Sequence, residues 1–176
     1  MNINAMNMFL SEDNIKRHLE HLRTQKLRYS ILEKSIPELK GKKMTDIARM
    51  GLDREIKEEA LHLLWYIKSH ECFFNSFCEV QLKSENVLKY YSSREKFLYD
   101  VCLEAKNKDH GFLYIYLDKK GRPQMTFCTE SGGAFIKYTP LLAIDLYEHT
   151  YFSDYGFKKD KFISNLLMYL DVGRLK

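Results

Sequence analysis

The chain reads as an α+β fold: an N-terminal helical hairpin, followed by an α/β domain in which a small three-stranded antiparallel sheet is flanked by helices. Three observations carry this reading. Apolar residues recur at helical spacing through the first 80 residues. From Gly111 to Asp145 they give way to short aromatic and β-branched runs broken by Gly- and Pro-containing turns, and a single amphipathic segment closes the chain. With 176 residues, 45% of them apolar and 30% charged, there is chain enough for one sizeable core.

Ser11 followed by Glu12, Asp13 and Asn14 predicts a capped, acidic helix start, and Ile15, Leu19, Leu22, Tyr29, Leu32 and Ile36 continue it until Pro37 stops it. After the KGKK turn at 40–43, a short helix is expected over Met44–Met50 and a long one from Asp53 to Val80, where breakers are few. Residues 1–82 then form the helical hairpin domain and residues 83–176 the α+β domain. One or two helices follow within 84–110, around Phe97, Leu98, Val101 and Leu103. GFLYIYLD at 111–118, the DKKGRPQ turn at 118–124 and the renewed strand MTFC predict a hairpin. A second turn at SGG, 131–133, leads into a strand ending at Asp145. Phe162, Ile163, Leu166, Leu167 and Leu170 mark an amphipathic helix over Lys158–Leu170.

Composition narrows the function. The N-terminus has no basic region before an apolar stretch, and nowhere do about 18 apolar residues run together, so a cytoplasmic protein with no membrane partner is expected. Four cysteines, at 72, 78, 102 and 128, show no CxxC pairing, which reads as reduced, packed thiols. The net charge is +4 with both signs interspersed, which argues against a nucleic-acid surface while favouring the approach of a small anion.

The residues that carry chemistry stand out at DLYEH, 145–149, where an apolar run ends in an aspartate with a histidine four residues on. That interval returns to the same side in a helix and in a strand, so Asp145 and His149 can aim at one point. His70 lies among aromatics in WYIKSHECFF, where burial of an imidazole demands a partner for each nitrogen, and a metal ion can be one of them. His18 and His21 lie in the first helix, His18 nearer the apolar stripe. His62 and His110 read as surface or turn residues.

One histidine in the first helix, one in the second, then Asp145 and His149 after a sheet: this order resembles the iron/manganese superoxide dismutases. TPLLAIDLYEHTYFSDY at 139–155 is similar to that family's signature, with Tyr147 in the place of its Trp. SHECFFNSF, GFLYIYLDKKGRPQM, FLSEDNIKRH and LKGKKMTDIA are similar to further segments, so the resemblance runs over most of the chain. It implies one Fe or Mn ion per subunit, held by His18, His70, Asp145 and His149, with His21 as the alternative to His18. It also implies a superoxide dismutase, an antioxidant oxidoreductase that converts superoxide to dioxygen and hydrogen peroxide, acting as a homodimer.

Departures from the family lie around that centre. The family sets a Gln against the metal-bound solvent, either four residues before the second ligand His or fifteen before the ligand Asp; those positions hold Tyr66 and Glu130. A Tyr eight residues beyond the first ligand is kept as Tyr29 if counting starts at His21, whereas from His18 the position holds Lys26. Tyr29, Tyr66 and Glu130 are thus the candidate catalytic groups. Glu148 is the candidate dimer contact, while Phe152 stands where the family carries a Tyr. These departures motivate an alternative, a protein of the same fold that has lost or altered the activity and serves a structural or interaction role.

Overall fold

Asn2 accepts the Ala5 N–H at 3.2 Å and starts α1 (Ile3–Asn7), a helix too short to show a periodicity in the sequence. The computed structural model describes residues 2–129 and 134–176. Ser11 then caps α2 (Glu12–Ser35), accepting the Asn14 N–H at 3.3 Å. Ile36 leaves helical geometry because Pro37 follows, and Pro37 opens a single 3-10 turn to Leu39. Next come α3 (Met44–Arg49) and α4 (Arg54–Phe74), the latter capped by Asp53. His18 meets His70 at 4.9 Å between rings while Arg28 meets Glu59 at 3.7 Å, so α2 and α4 run antiparallel as the expected hairpin.

α4 stops at Phe74 instead of continuing to Val80. Tertiary pairing takes over: the Cys78 N–H donates to the Tyr169 carbonyl at 2.9 Å and the Asp171 N–H to the Ser76 carbonyl at 2.8 Å, with Phe77 opposite Leu170. The same pairing ends the last helix three residues early, at Leu167. Propensity alone could not show a contact between segments ninety residues apart.

Ser84 and Ser93 each cap a helix and divide the next interval into α5 (Glu85–Tyr90) and α6 (Arg94–Lys106). The sheet has the order β2-β1-β3, both pairs antiparallel, with β1 (Phe112–Leu117) central, β2 (Pro123–Cys128) on one side and β3 (Leu142–Asp145) on the other. β3 is shorter than expected. Pro140 has no N–H for the ladder, and α7 (Ala134–Lys137) occupies part of the interval read as strand. The expected SGG turn lies outside the described residues. α8 (Glu148–Tyr155) and α9 (Lys159–Leu167) complete the chain, α8 being a helix that the signature's aromatics concealed.

Phe73, Phe97, Phe112, Tyr114 and Phe162 are fully buried, each contributing about 1.5–3 kcal/mol through the apolar area withdrawn from water. Gly111 anchors the sheet at the end that matters for the site. Its φ is +136°, and a Cβ there would lie 2.6 Å from the Cys128 carbonyl oxygen, so only glycine fits. The Gly111 carbonyl accepts the Leu146 N–H at 2.8 Å and so fixes the chain just after Asp145. Among the described residues, no helix is long and apolar enough to cross a membrane.

Candidate metal centre

Four elements each bring one donor to a single point. His18 comes from α2, His70 from α4, Asp145 from the last position of β3 and His149 from the first turn of α8. The three Nε2 atoms lie 3.3, 3.5 and 3.4 Å from one and the same oxygen, Asp145 Oδ2. All four donor atoms lie within 4.8 Å of one another. An ion about 2.1 Å from each donor would set them about 3.0–4.2 Å apart, and the three nitrogen–oxygen distances fall in that range.

The hydrogen bonding points the same way. His18 Nε2, His70 Nε2 and Asp145 Oδ2 are buried and have no properly directed hydrogen-bond partner, despite their closeness. Each such atom costs about 1–3 kcal/mol unless something satisfies it. A cation between them satisfies all three at once. Imidazole with carboxylate suits iron, manganese or zinc and not a thiolate-seeking ion.

Neighbouring groups aim the donors. His70 Nδ1–H donates to the Tyr66 carbonyl at 2.9 Å; a carbonyl can only accept, so the proton sits on Nδ1 and the Nε2 lone pair faces Asp145. The Tyr147 N–H donates to Asp145 Oδ1 at 3.0 Å, which leaves Oδ2 for the centre. Burial pushes the His70 imidazole far down, keeping it neutral. Burial alone would raise the Asp145 carboxyl, but the His149 and His18 imidazoles beside it hold it well below the usual carboxylate range. At His149 burial disfavours the proton, and the attraction of Asp145 and then Glu148 outweighs it, raising that imidazole.

The carriers are tied together as well. Asn14 Nδ2 donates to the Thr150 carbonyl at 2.8 Å and to Asp154 Oδ2 at 3.0 Å, joining α2 to α8 one turn from His18 and His149. Ser76 Oγ donates to the Cys72 carbonyl and accepts the Ala143 N–H, both at 2.8 Å, joining the end of α4 to β3.

Of the residues singled out in the sequence, the structure brings His18, His70, Asp145 and His149 together. His21 lies outside that group: it is exposed, with its ring 6.3 Å from that of His149. Tyr29 is not brought to the cluster. It stands eleven residues beyond His18 on α2, about 16 Å along the axis, because a helix rises about 1.5 Å per residue. It lines a different cavity with Glu33, Lys42 and Lys68, and burial with the Glu33 charge pushes its phenol up to about 12. Lys26 pairs with Glu71 at 2.8 Å. Tyr66 lies flat against His70, rings 4.0 Å apart and 25° inclined, with its hydroxyl buried and unpartnered. Burial, Asp145 and Tyr147 raise that phenol, so it keeps its proton. Glu130 lies outside the described residues.

Two cavities flank the cluster. One of about 400 Å³ is lined by Arg17, His18, His21, Glu148 and His149 among others. The other, of about 550 Å³, is lined by His62, Trp65, Tyr66, His110 and Tyr147 together with His21 and His149. His62 and His110 are exposed, as read, yet share a wall with the site; isolated exposed histidines carry no sequence signal for such a place.

Comparison with known proteins bears on the C-terminal part of this arrangement. Residues 80–174 match the family model described as iron/manganese superoxide dismutases, C-terminal domain. The matched span contains Asp145 and His149, while His18 and His70 lie before it and reach the same point through the fold. No curated protein matches the chain.

Proposed function

This chain belongs to the iron/manganese superoxide dismutase family, and on that premise we propose that it is a metal-dependent superoxide dismutase. Two superoxide anions and two protons would become dioxygen and hydrogen peroxide. The single observation that supports this best is the convergence of three Nε2 atoms on Asp145 Oδ2, with His18 Nε2, His70 Nε2 and Asp145 Oδ2 buried and lacking hydrogen-bond partners.

In this reading His18, His70, Asp145 and His149 hold one iron or manganese ion. When bound, the ion supplies one-electron cycling between its trivalent and divalent states. The chain does the rest. The Asp145 carboxylate offsets part of the positive charge, and the Tyr66 carbonyl keeps the His70 proton on Nδ1, so that Nε2 remains a donor throughout. Arg17 lines the smaller cavity beside His149 and draws a small anion towards the exposed edge of the cluster. The Tyr66 hydroxyl, buried beside His70 and firmly protonated, is placed to hold the proton that the reaction needs. The subunits pair as a homodimer, with Glu148 reaching across to the partner.

Purified Asp145→Ala should lose both bound metal and superoxide removal, and Tyr66→Phe should keep the metal while turnover falls about 10²-fold, the usual worth of a positioned proton donor. Normal superoxide removal by Asp145→Ala contradicts the assignment. A second reading, a chain that keeps this fold for a structural or interaction role, draws on Tyr66 standing where the family has Gln. It predicts that loaded protein removes no superoxide.

A further inference from the structure

The sequence holds six histidines, and each lies either in the buried cluster or on one cavity beside it. His18, His70 and His149 belong to the cluster, while His21, His62, His110 and again His149 line the cavity of about 550 Å³ with Tyr66 and Tyr147. His149 is common to both. Its side chain is 45% exposed, whereas those of His18, His70 and Asp145 are no more than 1% exposed. The open side of the cluster is therefore the side on which His149 stands.

The two cavities that reach His149 differ in lining. The smaller one carries both Arg17, which repels a cation, and Glu148, which attracts one. Among the described residues the histidine-lined one has no lysine or arginine on its wall, and Tyr66 and Tyr147 add aromatic faces that favour positive charge. Imidazole is a general ligand for first-row divalent ions.

We propose that this cavity admits Mn(II) or Fe(II) to the centre, with His62 and His110 capturing the ion from solvent and His149 passing it inward. The inference rests on the metal-binding reading of the cluster. Among the described residues, no second group of three or more donors converges as the cluster does. An ion in the cavity is accordingly held by one or two imidazoles and water. Such binding is strong enough to collect the ion and weak enough to release it, as any transit site requires.

The test is the rate at which metal-free protein takes up Mn(II), followed by loss of the electron paramagnetic resonance signal of the hydrated ion. His62→Gln/His110→Gln alters only exposed side chains and conserves their polarity, so the fold is retained. It should load about ten-fold more slowly than the unaltered protein and still reach the same one equivalent, whereas Arg17→Ala should load no more slowly. Equal rates for the double variant overturn the route, and so does a double variant that ends with less than one equivalent, since the histidines would then hold the ion at rest. If the unaltered protein binds no Mn(II) or Fe(II) at all, this inference falls together with the function on which it rests.

Discussion

At His18 both ring nitrogens are buried without partners, whereas most buried polar groups of folded proteins are paired. A residue kept at such a cost serves something other than stability. His18→Leu should therefore abolish metal binding while making the metal-free protein more stable by about 1–3 kcal/mol in urea unfolding, because it removes two unsatisfied atoms at similar volume. A metal-free variant less stable than its parent contradicts this. The titrating groups give a second expectation. His70 is lowered to about 3 from 6.5, so between those values the unfolded chain binds more protons and stability rises with pH. His149 is raised, so its contribution is complete below 6.5 and is lost as pH climbs through its folded value. The metal-free protein should be most stable near pH 6.5, and His70→Leu should remove the His70 share of the acid-side slope, up to about 1.4 kcal/mol per pH unit. Sequence reading found the residues the structure brings together but left His18 and His21 as alternatives. Three residues apart on one helix, both face nearly the same way; only depth separates them, and depth is a tertiary property. The same ambiguity drew Tyr29 towards the site.

Helices α2 and α4 and the central strand were legible because each repeats its pattern over enough residues to be read. The shortfalls have physical causes: α1 and α7 are too short for a period, and α4 and α9 end where Ser76–Cys78 pairs with Tyr169–Asp171. That junction matters for the site, since Ser76 joins α4, which carries His70, to β3, which carries Asp145. Ser76→Ala leaves the Ala143 N–H buried and unpaired and should cost about 1–3 kcal/mol by chemical denaturation. Metal affinity should weaken as well, because two of the four donors lose their common brace. Unchanged stability would show that the strand is held without it.

For the molecule as a whole, the family's C-terminal domain accounts for residues 80–174, and the two donors outside it arrive on the antiparallel helices packed against it. Glu148 is exposed in the first turn of α8, one turn before Phe152, whose ring lies 5.2 Å from that of Phe157, itself 95% exposed. A homodimer through this face predicts sedimentation at twice the 21.0 kDa chain mass, and Glu148→Ala should shift the population towards monomer. A monomer at every concentration tested contradicts that arrangement. The central claim is that the four converging donors hold a redox ion that removes superoxide. It is tested most directly by loading metal-free protein with iron or manganese to graded occupancy and measuring superoxide removal at each step. Activity that rises in proportion to bound metal and levels off at one ion per chain is the expected result; a chain that carries one ion and removes superoxide no faster than the metal-free protein contradicts it.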